Sequence, residues 1–433
     1  MSACNGKRDG LSERDLTSLA GPDPEAVASV AIEGRGGGPT EDPPASLLIV
    51  FTLWLLVFSS ASQTMIISPI LPRIGEELSI ADSVLGTLVS VYSLMVGVFA
   101  ILAGPVSDKF GRRRILLMGC VAMTVALVLH AFVVDYYSFL LVRVLAGSAG
   151  GILSGAAVSY IGDAFPYRRR GWATGWVMSG SAFGQIFGIP LGIFMAARWG
   201  FRSPFYMFAV TMAVTVFLVF FGVPQPDVKR SEHPLAVRKA ARDYFDMLRR
   251  PEVAWASAAF FLMFLGISVF LIYLPTWLER DLGATGDQIA LMFLVGGIAN
   301  VVTGPQAGKL SDRIGRKGII LMACLGLSVV MLLTVPLVTN LITAYVFFFL
   351  VMVLVAMRIS PFSALLTALV QDERRGSLMS LTVALGQMGF ALGGVVAGPL
   401  YSNLGYASNA ALGALFVLGM GLIVWFRIPE PSG

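Results

Sequence analysis

The sequence predicts an all-α membrane protein: twelve transmembrane helices in two pseudo-symmetric six-helix bundles. Three observations predict it, namely the apolar composition, twelve apolar runs of membrane length, and one long polar break that divides those runs six and six. Of 433 residues, 56% are hydrophobic and only 13% charged, too few charges to cover a soluble fold of this size, so lipid is the expected solvent. A hydrocarbon layer about 30 Å thick takes about 20 apolar residues of helix to cross.

Runs of that length fall at 46–68, 83–106, 113–134, 138–161, 171–196 and 204–223, then at 254–277, 288–308, 317–338, 341–365, 377–399 and 408–427. They define an amino-terminal bundle over 46–223 and a carboxy-terminal bundle over 254–427. Between them, residues 224–253 read PQPDVKRSEHPLAVRKAARDYFDMLRR at their core, a linker with an amphipathic piece. Residues 1–45 are polar and rich in Gly, Pro, Asp and Glu, without the apolar core of a cleaved signal peptide, and read as a disordered tail; 428–433 form a second tail.

Lysine and arginine set the expected orientation, because basic loops stay in the cytosol during insertion. With the amino terminus inside, 25 of the 31 basic residues fall on the cytosolic side and four on the other: Arg73, Arg198, Arg202 and Arg280. Both termini are therefore expected in the cytosol, with the chain in the cell (inner) membrane. The remaining two, Arg143 and Arg358, lie within spans 4 and 10. The net charge of +5 is spread among loops rather than gathered on one face, so no nucleic-acid partner is expected.

The halves repeat one another. GPVSDKFGRRRILLMGC at 104–120 aligns without a gap to GKLSDRIGRKGIILMAC at 308–324, with nine of seventeen positions identical. At nearly the same offset Arg169-Arg170-Gly171 matches Arg374-Arg375-Gly376, and Gly184 and Gly188 match Gly389 and Gly393. Parallel repeats of this kind are a common construction of secondary transporters.

On these residues the sequence resembles the major facilitator superfamily, whose loop between helices 2 and 3 carries a G-x-x-x-D-R-x-G-R-R pattern, repeated more loosely between helices 8 and 9. Gly104, Asp108, Gly111, Arg112 and Arg113 fit the first copy, with Lys109 for the usual arginine; Gly308, Asp312, Arg313, Gly315, Arg316 and Lys317 fit the second. An aspartate near a membrane boundary is costly unless paired, and the arginines that follow can pair it. The resemblance implies a network of Asp108, Arg112 and Asp163, repeated by Asp312 and Arg316 with Asp372 or Glu373. These pairs are expected to latch the halves while a cavity faces outward and to release when it faces inward; loop anchoring is the alternative.

Arg143 begins RVLAGSAGG, which looks like the family's R-x-x-x-G pattern, with Gly147 and Gly151 one turn apart. An arginine inside a membrane must face a cavity or a partner, unless it snorkels to the interface. Arg358, in VAMRISPF, is expected to face the cavity or a gate, against an internal pair with a backbone carbonyl. Where relatives place an acidic D-x-T in helix 1, this chain has Gln63, and no carboxylate falls at the centre of a span. That departure argues against ordinary proton antiport, and leaves uniport, exchange of organic anions, or coupling through Asp108, Asp163, Glu76 or Glu77. In span 5, Gly175, Gly184, Gly188, Pro190 and Gly192 approximate a glycine-proline pattern associated with antiporters, its proline displaced by one residue; it is expected to let helix 5 pack on helix 8. The GIPLG form resembles bacterial sugar and metabolite efflux permeases.

Polar side chains able to reach the midplane are Ser59, Ser62, Gln63, Gln185, Tyr273, Asn300 and Gln387; with Arg143 and Arg358, the larger of them form the expected substrate cavity. Single amides in spans equally serve interhelical bonding. His130 and His233 stand apart from each other and from Cys4, Cys120 and Cys324, so no metal site is expected. Nor is a phosphate-binding loop or any other cofactor site.

The chain is thus read as a non-enzymatic carrier, secondary active or facilitative, that moves a small and anionic or amphipathic organic molecule by alternating access. Efflux is the first expectation. Organic-anion uptake and lipid movement are the alternatives in the same class, and a transport-dead sensor or scaffold is the alternative in another. A monomer in the bilayer is expected.

Overall fold

The computed structural model describes residues 46–226, 237–369 and 375–429, apart from the side chains at 104, 105, 108, 237–241, 243, 367 and 375–377. The expected roles of Gly104, Asp108, Asp372 and Glu373, and the expected tail over 1–45, lie outside the described residues. Among the described residues twelve helices are long and apolar enough to cross a membrane, one for each predicted run. They are α1 Ser46–Met65, α2 Asp82–Ala103, α3 Arg112–Phe132, α4 Tyr136–Ala164, α5 Tyr167–Trp199 and α6 Ser203–Gly222. The second half holds α7 Pro251–Leu282, α8 Gly286–Ile314, α9 Arg316–Leu337, α10 Leu341–Leu366, α11 Leu378–Leu404 and α12 Tyr406–Arg427. The chain is a multi-pass membrane protein.

The end of the bundle carrying Lys109, Arg112–Arg114, Arg168–Arg170 and Lys309–Lys317 is called the basic end, and the other the far end. Three far-end helix starts use one device. The side chains of Asp135, Thr285 and Asn340 each accept the backbone N–H three residues on, and their own backbone N–H groups donate in return to the side chains of Ser138, Gln288 and Thr343, at the starts of α4, α8 and α10. At the basic end both copies of the repeated loop break the chain on a glycine in left-handed backbone, Gly111 at φ 96° and Gly315 at φ 97°, where any side chain would be strained. The internal repeat seen in sequence is thus a repeat of turn geometry.

Short helices continue α1 and form the end of α7 at the far end, Ile67–Leu78 and Leu274–Leu282, and these two meet across the halves. Inside α5 the helix opens into a π turn over Gly184–Gly188, the N–H of Ile189 bonding back to the carbonyl of Gly184. Pro190 follows; its ring excludes the carbonyl four residues earlier and it brings no N–H, so the turn before it widens by one residue.

Glycines of α5 meet α1, which corrects the expectation that they pack on α8. A Cβ on Gly184 would stand 2.7 Å from Ser62 Oγ, one on Gly188 would collide with the same hydroxyl, and one on Gly192 would stand 2.6 Å from the Ile66 side chain. Near Gly175 nothing approaches. Contact with α8 comes from the opposite direction, Gly297 of α8 seating against the backbone of Gln185 and Ile186. The close approach within the half is the one that needs bare backbone on α5, because α1 lies against it over three turns.

Candidate functional site

A buried polar group in the amino-terminal half joins α1, α2 and α4. Tyr92 of α2 is its hub: the hydroxyl receives a bond from Gln63 Nε2 at 2.7 Å and lies 2.7 Å from Thr64 Oγ1, both on or beside α1. Over the face of the same ring, 4.2 Å from its centroid, sits the guanidinium of Arg143 from α4. Gly147 and Gly150, one and two turns beyond Arg143, clear the space Tyr92 occupies. Arg143 is 0% exposed and its Nε donates to the Leu88 carbonyl at 3.1 Å, which rules out snorkelling. Among the described residues, Nη1 and Nη2 of Arg143 and Oε1 of Gln63 have no hydrogen-bond partner. A buried guanidinium with two idle donors and a buried amide with an idle acceptor are costly, and a ligand with matching groups would repay the cost.

Arg358 is placed differently from the expectation. It is 1% exposed inside the carboxy-terminal half, with Nη2 on the Met263 carbonyl at 3.4 Å and Nη1 on the Met420 sulfur at 3.8 Å. Those partners belong to α7 and α12, so the internal carbonyl pair describes it and a cavity-facing role does not. Tyr273 is likewise withdrawn from the expected cavity: fully buried at the far end, its hydroxyl receives the Gly86 N–H at 2.9 Å and donates to the Asp82 carbonyl at 2.5 Å. Gln185, Asn300 and Gln387 are partly exposed on α5, α8 and α11. Gln387 faces Gly97 of α2, and the Gln185 backbone meets Gly297 of α8, so both stand where the halves touch.

The sequence reading missed the far-end seal between the halves. Asp82, in the first turn of α2, takes both terminal nitrogens of Arg280 from α7, one at 3.0 Å. Arg198 of α5 pairs with Asp287 of α8 at 3.3 Å. Ser68 Oγ lies 3.0 Å from the carbonyls of Leu271 and Ile272. Beneath these pairs α2 and α11 lie backbone to backbone, so that a Cβ on Gly86 would strike the Gly394 carbonyl and one on Gly398 the Ser83 carbonyl. A signal was present: Asp82 and Asp287 hold equivalent places at the starts of α2 and α8, facing isolated far-end arginines. Toward the basic end, among the described residues, Gly171 and Gly175 of α5 and Gly304 of α8 have no atom of another segment within 4 Å of the place a Cβ would take.

The described members of the expected basic-end latch pair inside their own halves. Arg112 Nε meets Asp163 Oδ2 at 2.5 Å, tying α3 to α4, and Arg113 N–H donates to Gln225 Oε1 at 3.2 Å. In the second half Arg316 reaches Asp312 and the Ala364 carbonyl, each at 3.3 Å.

Comparison with known proteins decides what such a scaffold is. A sequence profile of the Major Facilitator Superfamily matches residues 53–283 and again 276–433. The chain belongs to the major facilitator superfamily. It is therefore a membrane transporter of small molecules and not an enzyme. Among relatives in the superfamily, an uncharacterized MFS-type transporter of Bacillus subtilis (strain 168), YwfA, is 28% identical over 385 residues, covering 88% of this chain and 92% of the relative. The multidrug resistance protein MdtG of Klebsiella pneumoniae (strain 342) is 25% identical over 386 residues, covering 87% and 90%. In three dimensions the superfamily fold is shared with a crystal structure of a D-xylose–proton symporter at TM-score 0.75 and 21% identity, covering 89% of this chain and 98% of that one.

Proposed function

We propose that this major facilitator exports a small organic molecule bearing an anionic or zwitterionic group, with the basic end in the cytosol. The observation that carries the substrate class is Arg143, whose two terminal nitrogens are buried over the Tyr92 ring without a hydrogen-bond partner among the described residues, with the idle oxygen of Gln63 at the same tyrosine. A carboxylate or phosphate would satisfy the arginine in bidentate fashion, and a donor on the same molecule would satisfy Gln63. Efflux is supported by relatives named for multidrug resistance. The orientation is supported by the excess of basic residues at one end.

In this reading the sealed far end and the unpacked glycines of α5 and α8 describe a carrier closed to the outside and opening toward the cytosol. Export then requires the Asp82–Arg280 and Arg198–Asp287 pairs to part while the basic end closes, the halves rocking about the site near Tyr92. Among the described residues Arg143 pairs with the Leu88 carbonyl and the Tyr92 ring rather than with a carboxylate, and in this reading charge moves with the substrate, by exchange or facilitated flow, in place of titration of a central acid.

Counterflow in proteoliposomes tests it, with a panel of anionic, zwitterionic and cationic solutes, with and without an imposed pH gradient. Gradient-independent exchange restricted to anions and zwitterions is the expected result. Exchange of cations alone would remove the substrate class, and no exchange of any solute would favour a sensor that keeps the fold.

A further inference from the structure

We propose that the linker helix and the adjoining basic end of the carboxy-terminal half bind anionic phospholipid headgroups. This inference goes beyond the transport reading and does not depend on it.

The linker helix, Val237–Leu248, runs into Arg249 and Arg250 and then directly into α7 at Pro251. Met247 is buried with Val253 of α7 and Leu378 of α11, so the helix is docked at the level where those spans leave the lipid. Its opposite face is the unusual one. Arg242, Phe245 and Arg249 fall three and four residues apart, on one stripe, and all are exposed. Phe245 is 59% exposed, a large apolar ring among cations, with the Arg249 guanidinium 4.9 Å from its centroid. Two similar pairs occur at the same end: Arg427 lies 5.0 Å from the ring of Trp255, and Lys317 lies 5.7 Å from that of Trp425. Aromatic rings beside cations suit the boundary where acyl chains give way to phosphates.

Charge separates this end from the other. At the far end Arg198, Arg202 and Arg280 each meet a carboxylate, Asp287, Glu77 and Asp82. Over 237–252 the sequence holds three acids, Asp243, Asp246 and Glu252, against five basic residues, Arg238, Lys239, Arg242, Arg249 and Arg250, with Arg427 beside Trp255; Asp246 lies 3.8 Å from Arg249. The surplus is positive and stands at headgroup depth, where each basic residue adds about 1 kcal/mol of attraction to an anionic surface. The phosphodiester of phosphatidylglycerol, an anionic headgroup with no balancing cation, is the matching partner.

Native mass spectrometry of the full chain, released from micelles doped equally with phosphatidylglycerol and phosphatidylcholine, reads the retained lipid. The wild type is expected to keep phosphatidylglycerol preferentially. Replacing Arg242, Arg249 and Arg250 together by glutamine should weaken that retention on the order of 100-fold, while replacing all three by lysine should preserve it. Glutamine at Arg168, Arg169 and Arg170, in the other half, should leave it unchanged. Equal retention of the two lipids by the wild type would overturn the proposal, as would equal losses in both glutamine variants. Hydrogen exchange over 242–250 in nanodiscs gives a second reading: it should slow with phosphatidylglycerol and not with phosphatidylcholine, and the same rate in both would count against the site.

Discussion

Asp82 of the amino-terminal half receives both terminal guanidinium nitrogens of Arg280 from the carboxy-terminal half. The bond crosses the boundary that must open in any alternating carrier, and the Tyr273 hydroxyl braces the same aspartate by its backbone carbonyl. Energetically such a pair is modest, because Arg280 is 44% exposed, and a partly solvated ion pair contributes about 0.2–1 kcal/mol. That scale suits a gate: it biases a population without freezing it.

Asp82→Asn should therefore shift the far end toward open by a few-fold, not abolish closure. Spin labels on far-end loops of the two halves, read by double electron–electron resonance, would show a longer-distance population growing. The charge-swapped double variant Asp82→Arg with Arg280→Asp should return it toward wild type. Identical distance distributions in wild type and Asp82→Asn would mean that the pair does not bias the gate.

Gly86→Val should act more strongly. The added side chain meets the Gly394 backbone, which cannot swing aside as a side chain can, so α2 and α11 can no longer close. The expected outcome is a folded protein with a persistently wide far end and at least tenfold slower exchange. Wild-type exchange rates in Gly86→Val would show that the contact opens and closes without that approach.

Arg143→Lys should not restore what Arg143→Ala loses. A lysine ammonium is a point charge; it can neither present two parallel donors nor lie flat over Tyr92. Both variants should lose exchange of anionic solutes by more than about tenfold, with Arg143→Lys losing as much as Arg143→Ala. Full activity in Arg143→Lys would reduce the residue to a simple positive charge.

Asp163→Asn should lower thermal stability in detergent, and a double-mutant cycle with Arg112→Gln should give a coupling of about 1 kcal/mol, because the pair ties α3 to α4. Far-end distances should stay unchanged. A large change in those distances would instead tie this pair to the opening of the halves.

What sequence alone determined is everything local and repetitive. Length and apolarity fixed twelve spans, and the 104–120 and 308–324 stretches announced two copies, whose Gly111 and Gly315 adopt the same turn. Gln63, Arg143 and Gly147 were also legible, since a charge and an amide inside apolar runs must be explained by burial. Only the tertiary structure decided which way each helix faces. Arg358 turned into its own half, Tyr273 into the far-end seal, and the glycines of α5 toward α1. The physical reason is that lipid is as apolar as a protein core, so a membrane helix that is greasy all round carries no amphipathic stripe to mark its inner side. For the seal between Asp82 and Arg280, 198 residues apart in the chain, the sequence marked only an acid at a helix start; which arginine meets it is a tertiary contact.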